Sequence, residues 1–261
     1  MKALFEATVY RMRKSTGVKI AIGLLFAAAI LYYVLAATIA AGKLDAASAG
    51  SVTGLGDSMM IWLFGSLVTG ILVGSDFENK TIHGVIKFGR KKIIANYMFA
   101  FAVAVLIMVL PYTLGSIICI FSKVSMQGAE GTVISIFMGN ILEYTKNVSI
   151  GKLLLSYIAY AIAYIGQLSI CIPVAIKLKK TVAVTAFGFF FGMITALLAT
   201  LASKVKLLDH IYQLTPYHYG IAKLGINAKI SDMFMGIVVS LIFAGIMGLM
   251  SWCILRKADI K

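Results

Sequence analysis

The chain has 261 residues, of which 61% are apolar and 13% charged, and its formal net charge is +14. Soluble domains carry about 45–50% apolar and about 25% charged residues, so this composition excludes an ordinary soluble domain, and the high hydropathy excludes a disordered chain. Three scattered cysteines exclude a disulfide-stapled scaffold. The sequence therefore predicts an all-α membrane protein whose single transmembrane domain covers residues 1–261.

The first predicted element is an amphipathic helix over residues 2–14. On a helical projection its apolar side carries Leu4, Phe5, Thr8, Val9 and Met12. The opposite side carries Lys2, Glu6 and Arg13. Because a basic amphipathic helix lies in the membrane interface, this segment is predicted to be an interfacial helix, either as an anchor or as a grip on a partner.

Six apolar stretches that follow are long enough to cross a bilayer, which takes about 20 largely apolar residues. They cover residues 20–41, 58–75, 93–122, 153–176, 182–203 and 233–255. None of the six contains Asp, Glu, Lys, Arg or His. The outer loops are too short for folded domains, and only short helical pieces are expected there, in 132–144 and 207–227.

The loop between predicted spans two and three, residues 75–92, combines apolar and charged residues. Ser75 and Glu78 match a capping box and predict that a helix begins there. One interpretation is an interfacial helix with lysines on lipid phosphates. The other is a docking surface for a cytosolic partner, which Asp76 and Glu78 favour because headgroup binding has little use for carboxylates.

Basic residues are distributed unevenly between the two sides of the predicted bundle. The side with both termini and residues 76–92 and 177–181 carries 16 Lys and Arg, and the other side carries 8. Positive residues stay in the cytoplasm, so we predict a multi-pass protein of the cell membrane with both termini cytoplasmic. The charge is thus a topology signal and predicts contact with the lipid bilayer, not with nucleic acid.

The sequence lacks the motifs of several classes of transporter and enzyme. Spans without ionisable side chains argue against a proton-driven carrier, and more weakly against a sodium-driven one. The sequence contains no HExxH pair, no GxSxG nucleophile turn and no GxxxxGK[ST] phosphate loop. We therefore predict no enzyme activity, no catalytic residue, and no metal or cofactor in this chain; any ATP must be bound by another chain.

The order of three motifs resembles the type-2 ABC exporter permeases. These are the loop Asp76-Phe77-Glu78-Asn79-Lys80-Thr81-Ile82 followed by Gly89-Arg90-Lys91-Lys92, the tail Arg256-Lys257-Ala258-Asp259-Ile260, and Tyr212-Gln213-Leu214-Thr215-Pro216 before the last span. The tail is similar to the family's basic-basic-x-Asp-Ile/Leu ending, and the third motif looks like its re-entrant region. The resemblance covers the whole chain in layout.

The resemblance implies a half-transporter that pairs with a second copy or a paralogue, above separate ABC ATP-binding subunits that hold ATP and Mg²⁺. The loop between spans two and three would then be the cytoplasmic coupling helix, with the N-terminal helix beside it. The residues expected to dock the ATP-binding subunit are Asp76, Phe77, Glu78, Thr81, Ile82, Val85, Lys87 and Arg90.

By the same resemblance, spans two and five face each other across the dimer axis and line a cargo path. The expected lining residues are Met59, Met60, Trp62, Phe64, Thr69, Thr185, Phe187, Phe190, Phe191, Met193 and Thr195. Met and aromatic side chains without charges suit hydrophobic or amphipathic peptides, including toxins and antimicrobial peptides for export or immunity, and secondly drugs or lipids. The same residues are equally typical of helices packed in lipid.

Two other classes of function remain open at this point. An ATP-independent carrier or channel would transport without ATP, and a structural or sensory membrane subunit would move nothing across the bilayer.

Overall fold

The computed structural model describes residues 2–43, 57–122, 150–219, 224 and 228–258. Every regular element in these ranges is helical. In chain order they are α1 (Lys2–Lys14), α2 (Thr16–Ala40), α3 (Asp57–Thr69), a π-helical turn (Gly70–Gly74), α4 (Ser75–Glu78), α5 (Ile82–Val85), a 3-10 turn (Ile86–Phe88), α6 (Arg90–Ser122), α7 (Ile150–Leu168), α8 (Cys171–Leu178), α9 (Thr181–Ala202), α10 (Lys206–Gln213), α11 (Pro216–Tyr219) and α12 (Ile230–Lys257).

Five of the described helical segments are long and apolar enough to cross a membrane, as in a multi-pass membrane protein. They are Thr16–Ile39, Met59–Glu78, Arg90–Gly115, Leu154–Leu178 and Ile230–Lys257. Five of the six predicted spans therefore coincide with membrane-length helices.

The remaining predicted span, 182–203, is only partly supported. The chain is helical there, in α9. Its apolar segment Thr181–Thr195 is shorter than a membrane span, which needs about 20 residues. The number of six spans thus stays a prediction. The expected helical piece at 132–144 and residues 220–223 and 225–227 lie outside the described residues.

The predicted N-terminal helix is present, and its apolar side packs on α6. Leu4, Thr8 and Met12, spaced by four residues, are buried. The Phe5 ring meets the Phe99 ring edge-on, with centroids 4.4 Å apart. The amphipathic pattern therefore reports a contact with the bundle itself.

The bundle is organised around two helix pairs: α3 packs along α9, and α7 packs along α12. Close approach in the first pair depends on glycine, because a Cβ at Gly188 would lie 2.2 Å from Cβ of Ser66. Helices in lipid associate through close packing at such small residues, because the hydrophobic effect does not drive one apolar helix against another inside the bilayer.

The fourth span is interrupted near Pro173, between Leu168, where α7 ends, and Cys171, where α8 begins. Proline has no N–H to donate to the carbonyl four residues earlier, which is that of Ser169. The Ile172 N–H donates to this carbonyl instead, at 3.1 Å, in a tighter turn.

Candidate functional site at the basic end of the bundle

The four basic segments of the sequence meet at one end of the bundle, which we call the basic end. Arg11 of α1 bonds to Asp76, and Glu78 accepts hydrogen bonds from Thr181. An Arg90 guanidinium N–H donates to the backbone carbonyl of Arg256. The side that sequence counting identified as basic is therefore one contiguous surface.

At this end the helix of span two changes form. After α3 the backbone passes through the π-helical turn, a feature often found at functional sites, and then continues into α4. The predicted capping box is not formed, because α4 continues directly from the π-helical turn and no side chain caps its first residues. The Ser75 hydroxyl donates back to the carbonyl of Ile71, and the Glu78 carboxylate turns to another helix.

Asp76, one residue into α4, is 1% exposed and accepts hydrogen bonds from three directions. Arg11 approaches with both guanidinium nitrogens, one on each carboxylate oxygen, the Nη2–Oδ2 distance being 3.2 Å. The Tyr97 hydroxyl donates to Oδ2 at 2.7 Å, and the Thr81 hydroxyl donates to Oδ1 at 2.8 Å. One buried carboxylate thus joins α1, the loop after span two, and α6.

This arrangement satisfies the conditions under which a buried charge is stable. A carboxylate removed from water requires an opposite charge and hydrogen bonds to its remaining lone pairs, and Asp76 has both. Arg11 Nη2 also donates to the Leu72 carbonyl in the π-helical turn, at 2.9 Å. Next to this cluster, Asn96 Nδ2 of α6 donates to the buried Thr8 hydroxyl of α1 at 2.8 Å. α1 is therefore fixed to the bundle by polar as well as apolar contacts.

A second polar contact joins the same loop to α9. Glu78 Oε2 accepts from the Thr181 hydroxyl at 3.0 Å and from the Thr181 N–H at 3.3 Å, at the first residue of α9. The carboxylate lies at a helix N-terminus, where unpaired N–H groups favour negative charge. Gly70 permits this approach, because a Cβ there would lie 2.9 Å from the Thr181 carbonyl oxygen.

The rest of the loop forms a short helical piece between two residues with positive φ, Lys80 at 58° and Gly89 at 93°. α5 and the 3-10 turn form this piece, so no continuous helix spans the loop and a distinct coupling helix stays a prediction. Ile82 is buried at its start, whereas Lys87 and Phe88 are exposed at its end.

The eight residues predicted to dock a partner therefore differ in accessibility. The buried ones are Asp76 and Ile82. Those half-buried are Phe77, Val85 and Arg90, and those exposed are Glu78, Thr81 and Lys87. A partner would meet the last group directly, while Asp76 and Ile82 act inside the chain.

No protein-family model, curated protein or solved structure matches this chain.

The residues predicted to line a cargo path belong to α3 and α9, which pack against each other within one chain. Buried are Trp62, Phe64, Thr69 and Thr195. Half-buried are Met59, Met60, Thr185, Phe187 and Phe191, and exposed are Phe190 and Met193. The Ser66 hydroxyl is 3.3 Å from the Thr185 carbonyl, across this same contact. Their role toward cargo stays a prediction.

An aromatic cluster far from the basic end brings α11 into the bundle. The Tyr217 ring lies 6.2 Å from that of Trp62, 5.8 Å from that of Phe191 and 5.7 Å from that of Phe243. Burial, with smaller contributions from Cys171 and Tyr212, raises the pKa of Tyr217 well above its usual value, so its hydroxyl stays neutral.

Buried Gln167 of α7 holds α11 in place through two hydrogen bonds. Its Nε2 donates to the Pro216 carbonyl at 3.1 Å, and the Tyr217 hydroxyl donates to the backbone carbonyl of Gln167 at 3.3 Å.

Gln167→Met keeps the length of the side chain but leaves the Pro216 carbonyl without this donor, at a cost of about 1–3 kcal/mol. We expect roughly tenfold faster hydrogen exchange in 212–219, measured by mass spectrometry. Tyr217→Phe, which removes the longer bond, should have a smaller effect, and equal exchange in all three proteins would contradict the anchoring role.

Sequence reasoning missed Arg11, Tyr97, Asn96 and Thr181 as members of the site. Asn96 and Tyr97 are adjacent polar groups near the start of an apolar span, and Arg11 follows Thr8 by three residues. The signal in the sequence was the presence of these polar residues in or near apolar segments. Only the folded chain brings them to Asp76.

Proposed function

We propose that this chain is the transmembrane subunit of an ATP-driven ABC exporter, with both termini in the cytoplasm of the cell and ATP and Mg²⁺ held by a separate ATP-binding subunit. Two copies, or one copy and a paralogue, form the translocation unit. The cargo is a hydrophobic or amphipathic peptide, and drugs or lipids are the second choice.

The observation that supports this proposal is the double attachment of the loop after span two. Asp76 binds it to α1 and α6, and Glu78 binds it to α9. A partner that moves this loop would move the three helices bonded to it, because packed elements shift between discrete arrangements and do not deform continuously. That is the mechanical property that a subunit driven by ATP hydrolysis elsewhere requires.

The surface through which a partner acts is the exposed end of the loop. Lys87 is exposed and Phe88 is 52% exposed, close to half-buried Arg90. An aromatic side chain beside cations is typical of residues that dominate binding to an acidic surface with an apolar pocket.

The test is purification of the tagged chain in mild detergent with mass spectrometry of its partners and an ATPase assay. We expect a stoichiometric ATP-binding subunit that Lys87→Glu/Phe88→Ser loses without unfolding the chain, since both side chains are exposed. Lys204→Glu, an exposed charge outside the basic end, is the matched control and should retain the subunit. A lone chain in all three preparations, with cargo movement that survives ATP depletion, would replace the proposal by an ATP-independent carrier.

A further inference from the structure

A basic and aromatic cluster lies at the junction of α6 and α12, apart from the Asp76 site. Lys91 Nζ lies 5.2 Å from the centroid of the Trp252 ring, and the Arg256 guanidinium carbon lies 5.8 Å from it. Lys92 and Lys257, the next residues in each helix, are exposed. Two helices far apart in sequence thus bring two cations to one half-buried indole, and each cation is followed by an exposed lysine.

Carboxylates that could neutralise this cluster are remote within these two helices. α6 contains no Asp or Glu, and the one acid of α12, Asp232, lies 24 positions before Arg256. At 1.5 Å per helical residue that separation is about 36 Å, beyond the Debye length of about 8 Å. Asp259, two positions after Lys257, is the nearest acid in the sequence and lies outside the described residues. Four basic residues against this one acid leave an excess of positive charge that an anion from outside the chain can neutralise.

The cluster adjoins the apolar outer side of α12. Ile246, Leu249 and Met250, in the turns before Trp252, are 47%, 64% and 47% exposed. α12 is one of the five membrane-length helices, so this side borders the bilayer and the cations stand where the hydrocarbon ends. A tryptophan at that depth sits in the headgroup region, with its ring in the apolar layer and its N–H toward water.

We infer that Lys91 and Arg256, which both lie against Trp252, form with the adjacent exposed Lys92 and Lys257 a binding site for the headgroup of an anionic phospholipid. The phosphate binds to these cations, and the acyl chains follow the exposed side of α12 past Met250. Basic pockets between membrane helices at the cytoplasmic side recognise anionic headgroups in this manner. The charge complementarity and the continuity with the bilayer-facing surface select a lipid over a soluble acidic protein.

The experiment uses Trp252 as its own reporter. The chain has two tryptophans, and Trp62 is buried in the bundle, so Trp62→Phe leaves Trp252 as the one tryptophan, which is excited selectively over the tyrosines. The full-length protein is reconstituted in phosphatidylcholine vesicles that contain either dibrominated phosphatidylglycerol or dibrominated phosphatidylcholine at equal mole fraction. Each basic residue near an anionic headgroup contributes a factor of about five in binding. We therefore expect the brominated phosphatidylglycerol to bind at least about fivefold more strongly, judged by quenching.

Lys91→Gln/Arg256→Gln should remove this preference. The matched control, Lys177→Gln/Lys180→Gln, removes two exposed charges elsewhere at the basic end and should retain it. Equal quenching by the two brominated lipids would overturn the inference, as would an equal loss in the control pair, which would mean a diffuse surface potential. No quenching by either lipid would also overturn it, because protein would then cover Trp252.

Two features keep the result interpretable if a variant does not fold. The ratio of quenching by the two brominated lipids, measured with all four basic side chains native, by itself decides whether the lipid contact is selective. The difference between the native chain and its Trp252→Phe variant isolates the same signal without changing Trp62.

Discussion

Arg11→Gln is expected to lower the free energy of unfolding by about 3 kcal/mol, because it leaves the Asp76 carboxylate buried without a compensating charge. Tyr97 and Thr81 still donate to that carboxylate, and Arg11 itself is partly exposed, with 39% of its side chain accessible. These two facts place the loss at the lower end of the range for a broken buried ion pair. In a chain of this size it corresponds to a melting temperature lower by roughly 6–12 °C, measured in detergent by intrinsic fluorescence.

The matched control is Arg13→Gln, which removes the same charge from an exposed position of the same helix. We expect its effect to stay within about 0.5 kcal/mol. In the double variant Arg11→Gln/Asp76→Asn, two neutral amides can hydrogen-bond, so it should recover more than half of the loss. If Arg11→Gln and Arg13→Gln melted together, or if the double variant were the sum of its parts, the Asp76 cluster would not hold α1 to the bundle.

The position of Asp76 illustrates how far sequence reasoning reached. Its carboxylate follows directly after an apolar stretch, and the sequence predicts a functional role for the loop that carries it, which stays a prediction. Whether a carboxylate at the end of a span faces a partner or its own chain depends on what stands opposite. Arg11 is separated from it by 65 positions. Periodicity within a helix carries no information about that pairing, so the sequence did not predict that Asp76 is buried against Arg11.

The helices themselves were more predictable than their contacts. Runs of apolar residues decide where a chain is helical in lipid, because every backbone polar group there must be paired within its own segment. The ends were less predictable. The helix of span two continues beyond Ser75 through the π-helical turn, and hydropathy does not predict such a turn. Small residues such as Gly188 signal close packing, but they do not name the partner helix.

Gly188→Leu is expected to prevent α3 and α9 from packing together. A Cβ at this position would lie 2.2 Å from Cβ and 2.6 Å from Oγ of Ser66, and the Cys171 sulfur stands 3.3 Å away. Ser66 sits on a buried helix and cannot withdraw, so α9 itself must shift. Overpacking of this kind costs about 1–3 kcal/mol for one methyl group, as in Gly188→Ala, and more for leucine. We expect Gly188→Leu to abolish the monodisperse peak in fluorescence-detected size-exclusion chromatography, and Gly188→Ala to reduce it.

Gly245→Leu on α12 is the matched control, because a Cβ at Gly245 meets no atom of the described residues within 4 Å. The same side chain should be tolerated there, with an unchanged elution profile. Should Gly188→Leu behave like Gly245→Leu, then α9 does not lie against α3 within one chain. Trp62 and Phe191, whose rings are 5.8 Å apart, would then be free to face a second copy. The pair of variants thus decides whether the predicted cargo residues are core contacts of one subunit or the walls of a path between two, since only the second arrangement leaves room at Gly188.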